Sequence, residues 1–108
     1  MLHLTITPAC ITAILSGEVD HHSAKALREE IDLAVREQLP AELILDFGGV
    51  SFMDSSGIGL VMGRVKLMQE HGGTVRVCHP SRHIYKVMRL SGIDRIAKIE
   101  LERTETIA

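Results

Sequence analysis

The residues best placed to do chemistry are Asp54-Ser55-Ser56-Gly57, where the end of an apolar segment meets the start of a helical pattern. At such a junction Ser55 or Ser56 is placed to cap the free amides of the first helical turn. The same position suits a second chemistry. A phosphoryl group on one of these hydroxyls would bring about two negative charges to the positive end of the helix dipole, where amides accept them. Modification there need not unfold the domain, and Gly57 and Gly59 leave another protein room to approach the hydroxyl closely. With Asp54 ionised beside it, the added charge would be felt most by a tightly packed partner, so binding would be lost while the fold is kept. Capping alone and capping with modification both remain open on these residues.

Other chemistries find less support. Serine, histidine and aspartate are present, but Ser55 lacks a Gly-x-Ser-x-Gly elbow and nothing supplies an oxyanion hole, so the chain reads as a substrate more than an enzyme. His21 and His22 are adjacent on a loop with no third ligand at useful spacing, so no metal is expected, and a loop-surface or partner-contact role suits them better. Gly57-Ile-Gly59 and Gly63 miss dinucleotide-loop spacing by one residue and lack the acidic ribose partner, so no cofactor is expected. Cys10 and Cys78 lie in apolar stretches without a Cys-x-x-Cys pair and read as free thiols, with no disulfide.

Composition bounds the remaining choices. At 108 residues, with 45% hydrophobic and 24% charged residues, the chain suits one compact domain, residues 1–108. A formal charge of -2 offers no basic stripe for nucleic acid. No run approaches the roughly 20 apolar residues of a membrane span, and the start lacks the zones of a signal peptide, so no membrane contact and a cytoplasmic location are expected.

The elements that must position the serines follow from periodicity. Leu2 to Thr7 and Ile11 to Leu15 read as two strands joined by a tight turn at Pro8, with Gly17 ending the second. From Ser23 to Leu39 the apolar residues Leu27, Ile31, Val35 and Leu39 recur every four positions, giving an amphipathic helix stopped by Pro40. Leu43 to Phe47 is a short apolar run expected to form a central strand buried on both faces, with Gly48-Gly49 turning the chain after it. The helix opening at Ser55-Ser56 carries Ile58, Val61, Met62, Val65 and Met68 along one face and stops at Gly72-Gly73. Thr74 to Cys78 is a further strand. Ser81 can cap a third helix bearing Ile84, Val87, Met88 and Leu90, with Gly92 as its stop. Ile96 to Leu101 adds a short strand or helix, and Glu102 to Ala108 is expected to fray. Met62, Met68 and Met88 read as core filling, whereas Met53 divides evenly between core and contact surface. Alternating strands and helices imply an α/β fold, a mostly parallel sheet with helices packed against it and an antiparallel addition at the start.

Phe52-Met-Asp-Ser-Ser-Gly-Ile-Gly59, preceded by Gly17-Glu-Val-Asp-His-His22, resembles the STAS domain of anti-sigma factor antagonists, most closely the sporulation type. Gly63-Arg64, Gly72-Gly73, Val77-Cys78 and Leu90-Ser-Gly-Ile93 extend the likeness over nearly the whole chain. The resemblance implies partner switching. The unphosphorylated antagonist binds an anti-sigma factor and the sigma factor is released to RNA polymerase. The anti-sigma factor, itself a serine kinase, uses ATP and magnesium to phosphorylate the first serine, here Ser55, and the product no longer binds well. A metal-dependent serine phosphatase reverses the step. Asp54, Ser56, Gly57 and Ile58 would shape the surface shown to the kinase, with Met53 and Asp20 as further contact candidates. A scaffold-type STAS domain of a stress-signalling assembly and a weak nucleotide-binding module are the alternatives.

Overall fold

The computed structural model describes residues 1–101, so the expected fraying of Glu102 to Ala108 lies outside the described residues. Among the described residues five strands form one sheet in the order β1-β2-β3-β4-β5: β1 (Leu2–Ile6), β2 (Cys10–Val19), β3 (Glu42–Met53), β4 (Thr74–Cys78) and β5 (Lys98–Glu100). β1 runs antiparallel to β2, and the other pairings are parallel. Helices α1 (His21–Gln38), α2 (Ser55–Gln69) and α3 (Arg82–Leu90) connect the parallel strands, with a short 3-10 turn, Ile93–Arg95, before β5. The α/β architecture expected from the sequence is therefore present.

Each parallel connection advances one strand in the same direction. Right-handed crossovers then place all three helices on one side of the sheet. The strand register lines up the apolar rows beneath them: Ile11 pairs with Leu43 and Leu43 with Val75, while Ala13 pairs with Leu45 and Leu45 with Val77. All six are buried, and Leu27, Ile31, Val61, Val65, Met68 and Met88 close over them.

This one-sided winding corrects the expectation that β3 is buried on both faces. Leu43, Leu45 and Phe47 face the helices, but Ile44 and Asp46 are only half-buried on the helix-free side. That side is stitched by charge. Arg76 donates to both oxygens of Glu42, at 3.1 and 2.9 Å, and to Glu100 at 2.8 Å, tying β3, β4 and β5 together.

Two glycine-based boundaries also differ. Gly17 does not end β2. It takes φ +80°, a value that suits glycine, at a bulge where the register with β3 shifts, and the strand continues to Val19. Opposite it, Gly48-Gly49 makes no turn, because β3 passes through both glycines and ends only at Met53. Leu39, Met62 and Leu90, expected on buried faces, are exposed. Leu39 sits in a left-handed cap beyond α1, Met62 on the outer side of α2, and Leu90, 81% exposed, at the end of α3. Met68 and Met88 do fill the core.

Both cysteines are free thiols, Cys10 half-buried and Cys78 buried. Burial pushes the Cys78 thiol up to about 11, helped by its hydrogen bond to Glu100 at 3.6 Å. At pH 8 only about one Cys78 in a thousand is then a thiolate, the reactive form. Iodoacetamide should therefore leave Cys78 unmodified in the native protein and alkylate it in urea. Equal rates in the two states, read by peptide mass, would contradict this account.

Candidate functional site

Parallel pairing of β2 and β3 continues to Val19 opposite Met53, so the next residue of each strand, Asp20 and Asp54, emerges at the same end of the sheet. Each caps a helix. Asp20 Oδ1 accepts from the amides of His22 and Ser23, both at 3.0 Å, and the Ser23 hydroxyl accepts from the Asp20 amide at 3.0 Å, forming a capping box. The Ser23 amide, opposed by partial desolvation and helped by the His22 amide, holds the Asp20 carboxyl below its usual value. α1 consequently begins at His21, two residues before the expected Ser23.

Asp54 does more than cap α2. Its Oδ1 accepts from the Ser56 amide at 2.8 Å, and its Oδ2 accepts from the His21 amide at 3.3 Å. One carboxylate thus joins the starts of both helices. It also corrects the capping assignment: the sequence places Ser55 or Ser56 as the cap, but Asp54 takes that role and both hydroxyls stay out of the cap. Ser55 is the first residue of α2 and is exposed; Ser56 is half-buried.

The other site residues lie beneath this surface. Met53 is 8% exposed, so it belongs to the core and offers no outer contact surface. A Cβ on Gly57, itself buried, would overlap Met53 Cγ and Sδ, so this glycine is what lets the helix start settle on the methionine. Ile58 is half-buried against the core. At Gly59 and Gly63 a Cβ would meet nothing within 4 Å, which leaves the outer side of α2 low in profile. Gly57→Ala should cost about 1–3 kcal/mol in urea unfolding through overpacking, less whatever alanine returns in helix propensity. In a Met53→Ala background most of that cost should vanish. An unchanged cost would remove Met53 as its source.

Two features of the site escaped the sequence reading. Phe52 is 51% exposed near the end of β3, three residues before Ser55. Arg64 of α2 is 6% exposed, with Nε 2.9 Å from Asp32 Oδ1 of α1. Its signal was an arginine one turn after the buried Leu60 in an otherwise apolar stripe. Among the described residues no group of three or more His, Cys, Asp or Glu side chains is arranged to hold a metal, and no helix is long and apolar enough to cross a membrane.

A one-sided α/β sheet that brings a serine-bearing helix start beside an Asp-His-His helix start is the arrangement of a STAS domain, and the STAS family matches residues 2–106. The anti-sigma F factor antagonist of Paenibacillus polymyxa is 35% identical over 85 residues, covering 79% of this chain and 73% of the relative. The unphosphorylated anti-sigma factor antagonist SpoIIAA superposes with a TM-score of 0.82 at 32% identity, over 94% of this chain and 90% of that one. The phosphorylated form of SpoIIAA, a Bacillus cell fate determinant, gives 0.75 at 32% identity, over 94% and 93%. The chain belongs to the STAS domain family, within its group of anti-sigma factor antagonists.

Proposed function

We propose that this protein binds an anti-sigma factor through the surface around Ser55 and that phosphorylation of Ser55 ends the binding. The observation that carries this reading is the division of labour at α2: Asp54 satisfies the helix start, so the exposed Ser55 hydroxyl is free to accept a phosphoryl group without unmaking the cap. The first-turn amides and helix dipole tolerate the new charge, while a docked partner meets it beside Asp54 and Asp20. The likeness to SpoIIAA in both its unphosphorylated and phosphorylated forms supports a switch that keeps the fold.

In this reading the anti-sigma factor is the serine kinase. It supplies ATP, magnesium and the base that takes the serine proton, and this chain needs no cofactor of its own. A serine phosphatase resets Ser55. Asp20, Ser56 and the exposed parts of the helix start are contact surface, with Met53, Gly57 and Ile58 supporting it from below. The setting is the cytoplasm, where the sigma factor and polymerase operate.

The test is intact mass and peptide mapping after incubation with the candidate kinase, ATP and magnesium, with calorimetric binding measured before and after. One phosphate, on Ser55, accompanied by loss of binding is the expected result. Phosphate on Ser56 alone, or binding indifferent to phosphorylation, would overturn the assignment.

A further inference from the structure

Next to Ser56, α1 and α2 part to leave a cleft of about 360 Å³. Its walls carry His21, Lys25 and Arg28 from α1, and Ser56, Gly59 and Arg64 from α2. Lys25 and Arg28 are exposed, whereas the Arg64 side chain is more than nine-tenths buried.

Arg64 is incompletely satisfied. Its Nε is close to Asp32 Oδ1, yet neither atom makes an aligned hydrogen bond, and Nη1 has neither partner nor solvent. A guanidinium carries five donors in a planar fork and a side-on carboxylate oxygen cannot fill them. Arg28 and Arg36 are near enough to repel its charge, and Asp32 is the carboxylate that offsets it. Asp20 and Asp54 do not line the cleft, since their capping oxygens are turned to backbone amides. Lys25, Arg28 and Arg64 therefore converge on one cavity; Asp32 pairs with Arg64 behind it, and Asp54 lies at its edge on the amides of His21 and Ser56.

We propose that this cleft binds a phosphate dianion. A compact, doubly charged tetrahedral group can lie between the exposed Lys25 and Arg28 with the buried Arg64 charge behind it, and the bare backbone at Gly59 leaves room for its oxygens. The lining is cationic, with the His21 imidazole its one aromatic ring, so recognition is of the phosphate itself. Its source is either a free phosphate or phosphomonoester, or the phosphoserine of the neighbouring helix start. The site does not depend on which serine the kinase modifies.

The unphosphorylated protein, labelled with 15N, would be titrated with inorganic phosphate at constant ionic strength held by chloride. Saturable shifts are expected at the amides of Lys25, Arg28 and Gly59, and Lys25→Glu or Arg28→Glu should each weaken the midpoint about tenfold or more. Both side chains are exposed, so these variants keep the test decisive even if Arg64→Met fails to fold. Absence of saturable shifts at these amides, or midpoints indifferent to both charge reversals, overturns the proposal. Repeating the titration on phosphorylated protein separates the sources. Lost phosphate binding assigns the cleft to the chain's own phosphoserine, and retained binding assigns it to a free ligand.

Discussion

Ser55→Asp is expected to weaken binding to the partner anti-sigma factor by about 100-fold or more, with helical content and thermal midpoint close to wild type. The fold survives because a carboxylate in the first turn of α2 sits at the favourable end of the helix dipole, worth about 0.3–1 kcal/mol. Binding suffers because a third carboxylate joins Asp20 and Asp54 at one end of the sheet, and like charge in a desolvated interface costs several kcal/mol. Each 1.4 kcal/mol is about tenfold in affinity, so about 3 kcal/mol gives the stated loss. Ser55→Ala should bind as wild type and take up no phosphate. Calorimetry decides the first point and intact mass the second. Wild-type affinity in Ser55→Asp, or phosphorylation of Ser55→Ala at the wild-type rate, would remove Ser55 from its role.

Asp32→Ala should cost about 3–5 kcal/mol in urea unfolding, because it strands a buried guanidinium. Arg64 is already under strain of this kind. Desolvation lowers its proton affinity first and most, Asp32 opposes that, and Arg28 and Arg36 add to it. The two side chains are 7% and 13% exposed, so water does little to replace the lost partner. Replacing both members, as in Asp32→Leu with Arg64→Met, should recover most of the loss, since an apolar pair of similar volume has no charge to desolvate. A cost below about 1 kcal/mol for Asp32→Ala would mean the pair behaves like an exposed ion pair.

The helices were legible because Leu27, Ile31 and Val35, and likewise Val61, Val65 and Met68, repeat at helical spacing and are buried as that spacing requires. The Asp-Ser-Ser-Gly junction was legible as a helix start for the same reason. What periodicity could not carry was any fact set by distant chain. Burial of β3 on one face only follows from all three helices crossing on one side, a property of strand order. Gly17 and Gly48-Gly49 look alike whether they end strands or accommodate a bulge, and only the pairing of β2 with β3 distinguishes the two. The cap on α2 is local, Asp54 rather than a serine starting the helix one residue early, but the second bond of its carboxylate, to a helix 33 residues earlier in the chain, could not be read from sequence. Met53 could not be assigned from sequence, since its burial depends on the missing side chain at Gly57.

The three glycines of α2 carry a consequence for motion. Gly57, Gly59 and Gly63 together make this fifteen-residue helix about 3 kcal/mol poorer than an alanine equivalent, so on its own it would scarcely form. Leu60, Val61, Val65 and Met68 hold its middle and far end to the sheet, while its first turn is kept shut by Asp54 and by the seat of Gly57 on Met53. Local opening should therefore begin at Ser55, and the amides of residues 57–60 should exchange with deuterium well before those of β2 and β3. The acceptor hydroxyl rides on the segment that can peel away at least cost, so a kinase could draw it into an extended conformation while the rest of the domain stays folded.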